Sequence, residues 1–174
     1  MSDLSFKFMN AIFVIIDVIF PSVDKRIPGF GICDGMTVVD YGCGPGRYTM
    51  RFARIVGESG RVYAVDIHEL AIQSVEQKIA KHHLSNVEPV LADGYHSGLA
   101  DGIADVVCAI DMFFSVHDPT AFLKELSRIT KQTGFLIIDD GHQPRRTTKE
   151  KLKASGYWRI QEETFDHLKC VHNH

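Results

Sequence analysis

The stretch "VVDYGCGPGRYT" (38–49) sets a β-branched run and an aspartate directly ahead of three glycines, after which a helical pattern begins. Such a run reads as a strand. Glycines at alternate positions let the backbone turn sharply out of that strand, and bare backbone in the turn lets a ligand approach closely.

The same arrangement repeats along the chain. Short apolar runs at 36–41, 61–67, 86–93, 104–111 and 134–140 read as strands. Segments 46–57, 69–84, 118–130 and 147–156 have helical spacing, and the third of these opens with Asp118 as cap and Pro119 at its first turn. Residues 104–111 are almost continuously apolar, as a strand covered on both faces should be, whereas Pro89 places the 86–93 strand near an edge. Two closely joined strands, 157–164 and 165–172, must run antiparallel. The predicted fold is α/β: a Rossmann-like, doubly wound, seven-stranded sheet, mostly parallel, with an antiparallel C-terminal hairpin. Residues 36–174 form this domain. Residues 1–35 are an N-terminal helix and linker packed on the core, the linker punctuated by Pro28, Gly29, Gly31 and Gly35.

With 174 residues, 45% of them apolar and 24% charged, the chain is long enough for one buried core and unlike a disordered one. A net charge of −3 supplies no field that recruits nucleic acid. The basic residues Arg145, Arg146, Lys149, Lys151 and Lys153 alternate with polar ones and read as a solvated helix face. Four widely spaced cysteines point to reduced thiols and a cytoplasmic location, and nine histidines without ligand spacing point to no structural metal. Residues 4–20 are the most apolar segment. They lack a basic leader, and Asp17 interrupts a run already shorter than a membrane span. On a helix, Asp3, Lys7, Asn10 and Asp17 share one narrow stripe. The helix is expected to pack on its own domain as the roof of a cleft; a homodimer contact and a peripheral membrane contact are the alternatives.

Right-handed crossovers bring the C-terminal ends of the parallel strands to one rim, where ligands bind. Aspartates recur there: Asp40, Asp66, Asp93, Asp111, Asp139 and Asp140. Each alone could cap a turn. Together they predict an anionic cleft for a ligand carrying a cation or hydroxyls. A dinucleotide fingerprint needs Gly-x-Gly-x-x-Gly, but Gly42 and Gly44 are followed by Arg47, with Gly46 one residue early, which argues against NAD.

The segment 38–49 resembles motif I of the class I S-adenosylmethionine (SAM)-dependent methyltransferases. The likeness runs from residue 36 to the C-terminus: "VYAVDIHELAI" is similar to the second-strand acidic motif, "LADG" to the third-strand aspartate, and "ADVVCAIDMFFSVHDPTAFLKELSRITKQTGFLIIDD" to the fourth and fifth strands. Among subgroups the chain looks most like the small methyltransferases related to ubiquinone and menaquinone biosynthesis enzymes. The resemblance implies SAM as cofactor, with Gly42, Cys43, Gly44 and Gly46 as the glycine floor and Asp40 toward the amino-acid end. It further implies Asp66 on the ribose hydroxyls, Ile67 on the adenine, Asp93 with Gly94 at the adenine amine, and Asp111 with Met112 at the sulfonium. Tyr41 departs from the family's usual aliphatic residue.

Methyl transfer from an activated sulfonium needs alignment and water exclusion more than a fixed catalytic group. His117, His142, Asp140 and Tyr48 fall in or beside rim loops and are the candidates for a base. The expected acceptor is a small apolar or aromatic molecule. Phe113, Phe114, Trp158 and the N-terminal helix could wall it, with core packing the ordinary reading for Trp158. Three alternatives stay open: a SAM-binding sensor without turnover, an NAD dehydrogenase, and a metal-assisted O-methyltransferase using Asp111 with Asp139 and Asp140. The last departs from the pattern it would need, since Asp139-Asp140-Gly141-His142 stands where those enzymes carry Asp-Asn.

Overall fold

The computed structural model describes residues 22–173. The apolar segment 4–20, with the roof, homodimer and membrane readings placed on it, lies outside the described residues.

Strands β1 (Thr37–Tyr41), β2 (Arg61–Asp66), β3 (Val87–Leu91), β4 (Ala104–Ala109), β5 (Thr130–Ile138), β6 (Trp158–Glu163) and β7 (Leu168–His172) form one sheet in the order β3-β2-β1-β4-β5-β7-β6. The first five pair in parallel, and β7 runs antiparallel to both β5 and β6. Pro89 sits in the edge strand β3, where no second neighbour needs its missing N–H. Strand order reverses between β1 and β4, and this switch point opens a crevice at the C-terminal rim.

Helices cover both faces. On one side α4 (Pro119–Ile129) and α5 (Arg145–Ser155) bury Phe122, Leu123, Leu126, Ile129 and Leu152 against the sheet. Asp118 caps α4 as its sequence predicts, its carboxylate accepting from the Ala121 N–H at 3.0 Å. On the other side α2 (Thr49–Val56) and α3 (Glu69–His82) bury Phe52, Val56 and Val75. Trp158 is core, its indole N–H donating to the Leu123 carbonyl at 3.0 Å.

Two expectations change. The segment taken as linker contains a short helix α1 (Ser22–Arg26) and a 3-10 turn (Ile27–Phe30), and Val23, Ile27 and Phe30 are buried. Their spacing of four and three puts one apolar stripe on the sheet, in an element too short for periodicity to announce. β5 starts at Thr130, not at Gly134. The register slips between Ala104 and Val106, and Gly134 faces that irregularity, where an added Cβ would lie 2.8 Å from the Asp105 carbonyl oxygen.

Candidate active site

A cavity of about 550 Å³ opens at the switch point between the ends of β1, β2 and β4. Gly42, Cys43, Gly44, Asp66, Ile67, Gly94, Asp111 and Met112 line it, as do His117 and Tyr48. Asp40, Gly46 and Asp93 do not. Asp40 is 2% exposed and turned under the glycine loop, where the Thr49 hydroxyl donates to it at 2.5 Å. Gly46 faces α3, and a Cβ there would press on Val75 at 3.1 Å. Asp93 is exposed, its backbone closing a tight turn with His96.

The glycine turn is held from beneath. Gly42 and Cys43 donate to the Val65 carbonyl at 2.8 and 3.0 Å, and Gly44 donates to the Asp66 carboxylate at 2.9 Å. The other Asp66 oxygen accepts from the His68 N–H, also at 2.9 Å. Asp66 thus joins the β1 and β2 loops and still has lone pairs for a diol. Gly44 has φ +51°, and a Cβ added there would meet nothing within 4 Å, so bare backbone faces open cavity. Ile67, 66% exposed, supplies a flat apolar surface beside Asp66. An acid with free lone pairs (Asp66), an apolar wall (Ile67) and a glycine floor in one cavity are groups that could hold a SAM-like ligand.

The ring of acids is less anionic than its sequence suggests, because most members are spoken for. Burial pushes the Asp40 carboxyl up to about 7, despite the hydrogen bonds from Thr49. Asp140 is paired with Arg145 at 2.6 Å. Asp139 is buried, and burial raises it to about 6 against the pull of Arg26, whose Nη2 donates to it at 2.7 Å. Arg26, from α1, also donates to the Tyr48 hydroxyl oxygen at 2.8 Å and lies 3.4 Å from Asp111, so its guanidinium stands between Asp111 and Asp139. Among the described residues no cluster of three or more His, Cys, Asp or Glu could hold a metal ion.

Asp111 is one of only two described non-glycine residues with positive φ, at +59°. Its N–H donates to Asp139 Oδ1 at 2.9 Å, which fixes the strained turn after β4, and its own carboxylate is 48% exposed. Met112 lies across Gly42, its Cγ 2.8 Å from where a Cβ would be.

Beyond Met112 the lining turns apolar with Tyr95, Phe114, Val116 and Phe122. Of the expected acceptor wall, Phe114 faces the cavity, whereas Phe113 is fully buried and stacks on Phe122 at 6.0 Å. His142 packs edge-on against Phe114 at 4.8 Å and does not itself line the cavity, and Asp140 is engaged by Arg145. Of the four candidate bases, His117 and Tyr48 line the cavity, and of these two His117 is exposed and Tyr48 is buried. Tyr41 uses its hydroxyl to reach the Tyr95 carbonyl at 2.7 Å, tying the end of β1 to the loop after β3. Sequence reasoning missed Arg26 and Tyr95. Tyr95 follows the "LADG" motif and could have been included; nothing local marks Arg26.

The family model for the methyltransferase domain matches residues 32–172. A demethylmenaquinone methyltransferase of Geobacillus sp. (strain WCH70) is 30% identical over 110 residues, 63% of this chain and 47% of that protein. The ubiquinone/menaquinone biosynthesis C-methyltransferase UbiE of Klebsiella pneumoniae subsp. pneumoniae is 30% identical over 115 residues, 66% of this chain and 46% of that one. The chain therefore spans about half the length of the curated relatives it matches. A SAM-dependent methyltransferase from Aquifex aeolicus superposes with TM-score 0.78 at 28% identity, covering 86% of this chain and 88% of its own. Glycine floor, diol acceptor, strand order and these likenesses agree on SAM as cofactor, and the chain belongs to the methyltransferase-domain family of SAM-dependent enzymes.

Proposed function

We propose that the protein transfers the methyl group of SAM to a small aromatic acceptor of the quinol class. The observation that carries this is the apolar half of the cavity, walled by Tyr95, Phe114, Val116 and Phe122, lying directly beyond Asp111 and Met112. A flat ring held there would have one face against apolar side chains and little water. SAM, when bound, supplies a methyl group already activated by the sulfonium charge. The chain's contribution is alignment: Asp66 and the glycine floor fix one end, and Met112 and Phe114 limit where the acceptor can stand. His117 is the residue placed to take a proton released from the acceptor. The names of the relatives, a demethylmenaquinone methyltransferase and a C-methyltransferase, support a ring carbon as the atom methylated.

The test is incubation of the full chain with SAM and 1,4-naphthohydroquinone, with S-adenosylhomocysteine and methylated product read by mass spectrometry, with and without EDTA. Stoichiometric formation of both, unchanged by EDTA, is the expected result. Tight S-adenosylhomocysteine binding with no product from a panel of quinols, catechols and amines would favour the sensor. Loss of turnover with EDTA would favour the metal-assisted reading.

A lipid-soluble acceptor also gives the apolar sequence at 4–20 a use, as a peripheral contact of a cytoplasmic enzyme with the membrane surface. Vesicles should co-sediment the full chain and not one lacking residues 1–21; equal partitioning would remove the membrane reading and leave packing on its own domain or a homodimer contact.

A further inference from the structure

Tyr95 is half-buried and fixed along its whole length. Its carbonyl accepts from the Tyr41 hydroxyl at 2.7 Å, its ring meets Phe122 edge-on with centroids 5.9 Å apart, and its hydroxyl oxygen accepts from the Asp118 N–H at 3.0 Å. The loop that carries it is fixed as well. Ser97 donates to the Glu125 carboxylate through its N–H at 2.9 Å and its hydroxyl at 2.6 Å, and Arg128 donates to the Leu99 carbonyl at 2.8 Å. The loop after β3 is thus set by α4 and β1 before any ligand arrives, which lowers the cost of binding one.

The Tyr95 hydroxyl has one hydrogen bond left to make. Its oxygen accepts, and among the described residues no group takes its proton. A hydroxyl whose oxygen already accepts is the better donor, because the two bonds polarise one another. Tyr95 lines the cavity together with Val116 and His117, the residues leading to Asp118. The N–H that holds the phenol is therefore one peptide bond from His117, and a donor and a base share one wall. Ser115 also lines that wall, but its hydroxyl donates to the Met112 carbonyl at 2.7 Å.

We infer that the Tyr95 hydroxyl donates a hydrogen bond to an oxygen on the acceptor ring, and so selects a hydroxylated aromatic over an all-carbon one of the same shape. The role presupposes the aromatic acceptor of the proposed reaction. It also gives a reason for Tyr41, since an aliphatic side chain there would leave the Tyr95 carbonyl without its donor.

Fluorescence titration of the full chain saturated with S-adenosylhomocysteine tests this with 1-naphthol and 1-methylnaphthalene, rings of like shape of which only the first carries an oxygen. Tyr95→Phe removes the hydroxyl and keeps a ring against Phe122. It should weaken 1-naphthol about three- to ten-fold, the loss of one neutral hydrogen bond, and leave 1-methylnaphthalene and S-adenosylhomocysteine unchanged. Tyr41→Phe frees the Tyr95 carbonyl but keeps the Tyr95 hydroxyl, so its effect on 1-naphthol should be the smaller; a larger one would put the selectivity in the loop and overturn the role of the hydroxyl. Unaltered 1-naphthol affinity in Tyr95→Phe overturns the inference, as does an equal loss on both rings, which would mean a packing role. A wild-type chain that binds S-adenosylhomocysteine but neither ring overturns the aromatic acceptor instead.

Discussion

Asp40 shows what a strand-end aspartate becomes once the chain folds over it. Its carboxyl is buried under Thr49, and burial lifts it to about 7. The native state therefore holds a proton that the unfolded chain releases above its ordinary value of 3.8. Stability from this group is full at low pH and falls as pH rises through the window from about 4 to about 7, at most about 1.4 kcal/mol per pH unit. Asp40→Asn, neutral throughout, should narrow the drop in urea midpoint between pH 5 and pH 8; a drop as large as wild type's would mean that Asp40 is ionised at pH 5 already. The position of each rim acid was legible from where the apolar runs end. Its fate was not, because Arg26 reaches Asp139 from across the fold, and Thr49 and Arg145 reach Asp40 and Asp140 back over turns with no regular period.

Two glycines of the same turn serve different elements. Gly46, with φ +84°, abuts Val75 and sets how closely the turn packs on α3. Gly44, with φ +51°, abuts only the cavity. Gly46→Ala should cost about 1–3 kcal/mol by overpacking and left-handed strain together, with a matching fall in melting temperature. Gly44→Ala bears the strain alone, so it should cost about 1 kcal/mol while weakening S-adenosylhomocysteine binding, because its methyl group enters ligand space. If calorimetry and thermal melts showed the two variants alike in both properties, the division of labour would be wrong. Helices and strands were legible wherever a period ran long enough, as in α4, where Asp118, Pro119 and the Phe122-Leu126-Ile129 stripe agree. Residues 22–30 were not: five helical residues with Pro28 and Gly29 following look like a linker, and only the burial of Val23, Ile27 and Phe30 makes them structural. That short element also delivers Arg26, so the part of the rim missed in sequence is the part built on it.

At the scale of the whole molecule, the reversal of strand order between β1 and β4 decides where a ligand binds, and the end of the cavity beside Asp111 decides which one. Both SAM and NAD present an adenosine that Asp66 and Ile67 could take, so those residues do not discriminate. The difference lies at the other end of the cavity, where NAD would place a pyrophosphate and SAM a zwitterion. Asp111 faces that end with its carboxylate 48% exposed, and a pyrophosphate would meet it at close range with like charge. Binding to the folded state alone raises stability by mass action, about 2.7 kcal/mol at a hundred times Kd. For a chain of this size each kcal/mol is worth about 2–4 °C, so saturating S-adenosylhomocysteine should raise the melting temperature by about 5–10 °C. NAD at the same concentration should raise it little or not at all. In Asp66→Ala the S-adenosylhomocysteine shift should shrink, since the ribose loses its acceptor and the glycine loop loses the Gly44 hydrogen bond together. An equal shift with NAD would overturn the discrimination argued from Asp111, and an undiminished one in Asp66→Ala would place the ligand elsewhere than across this turn.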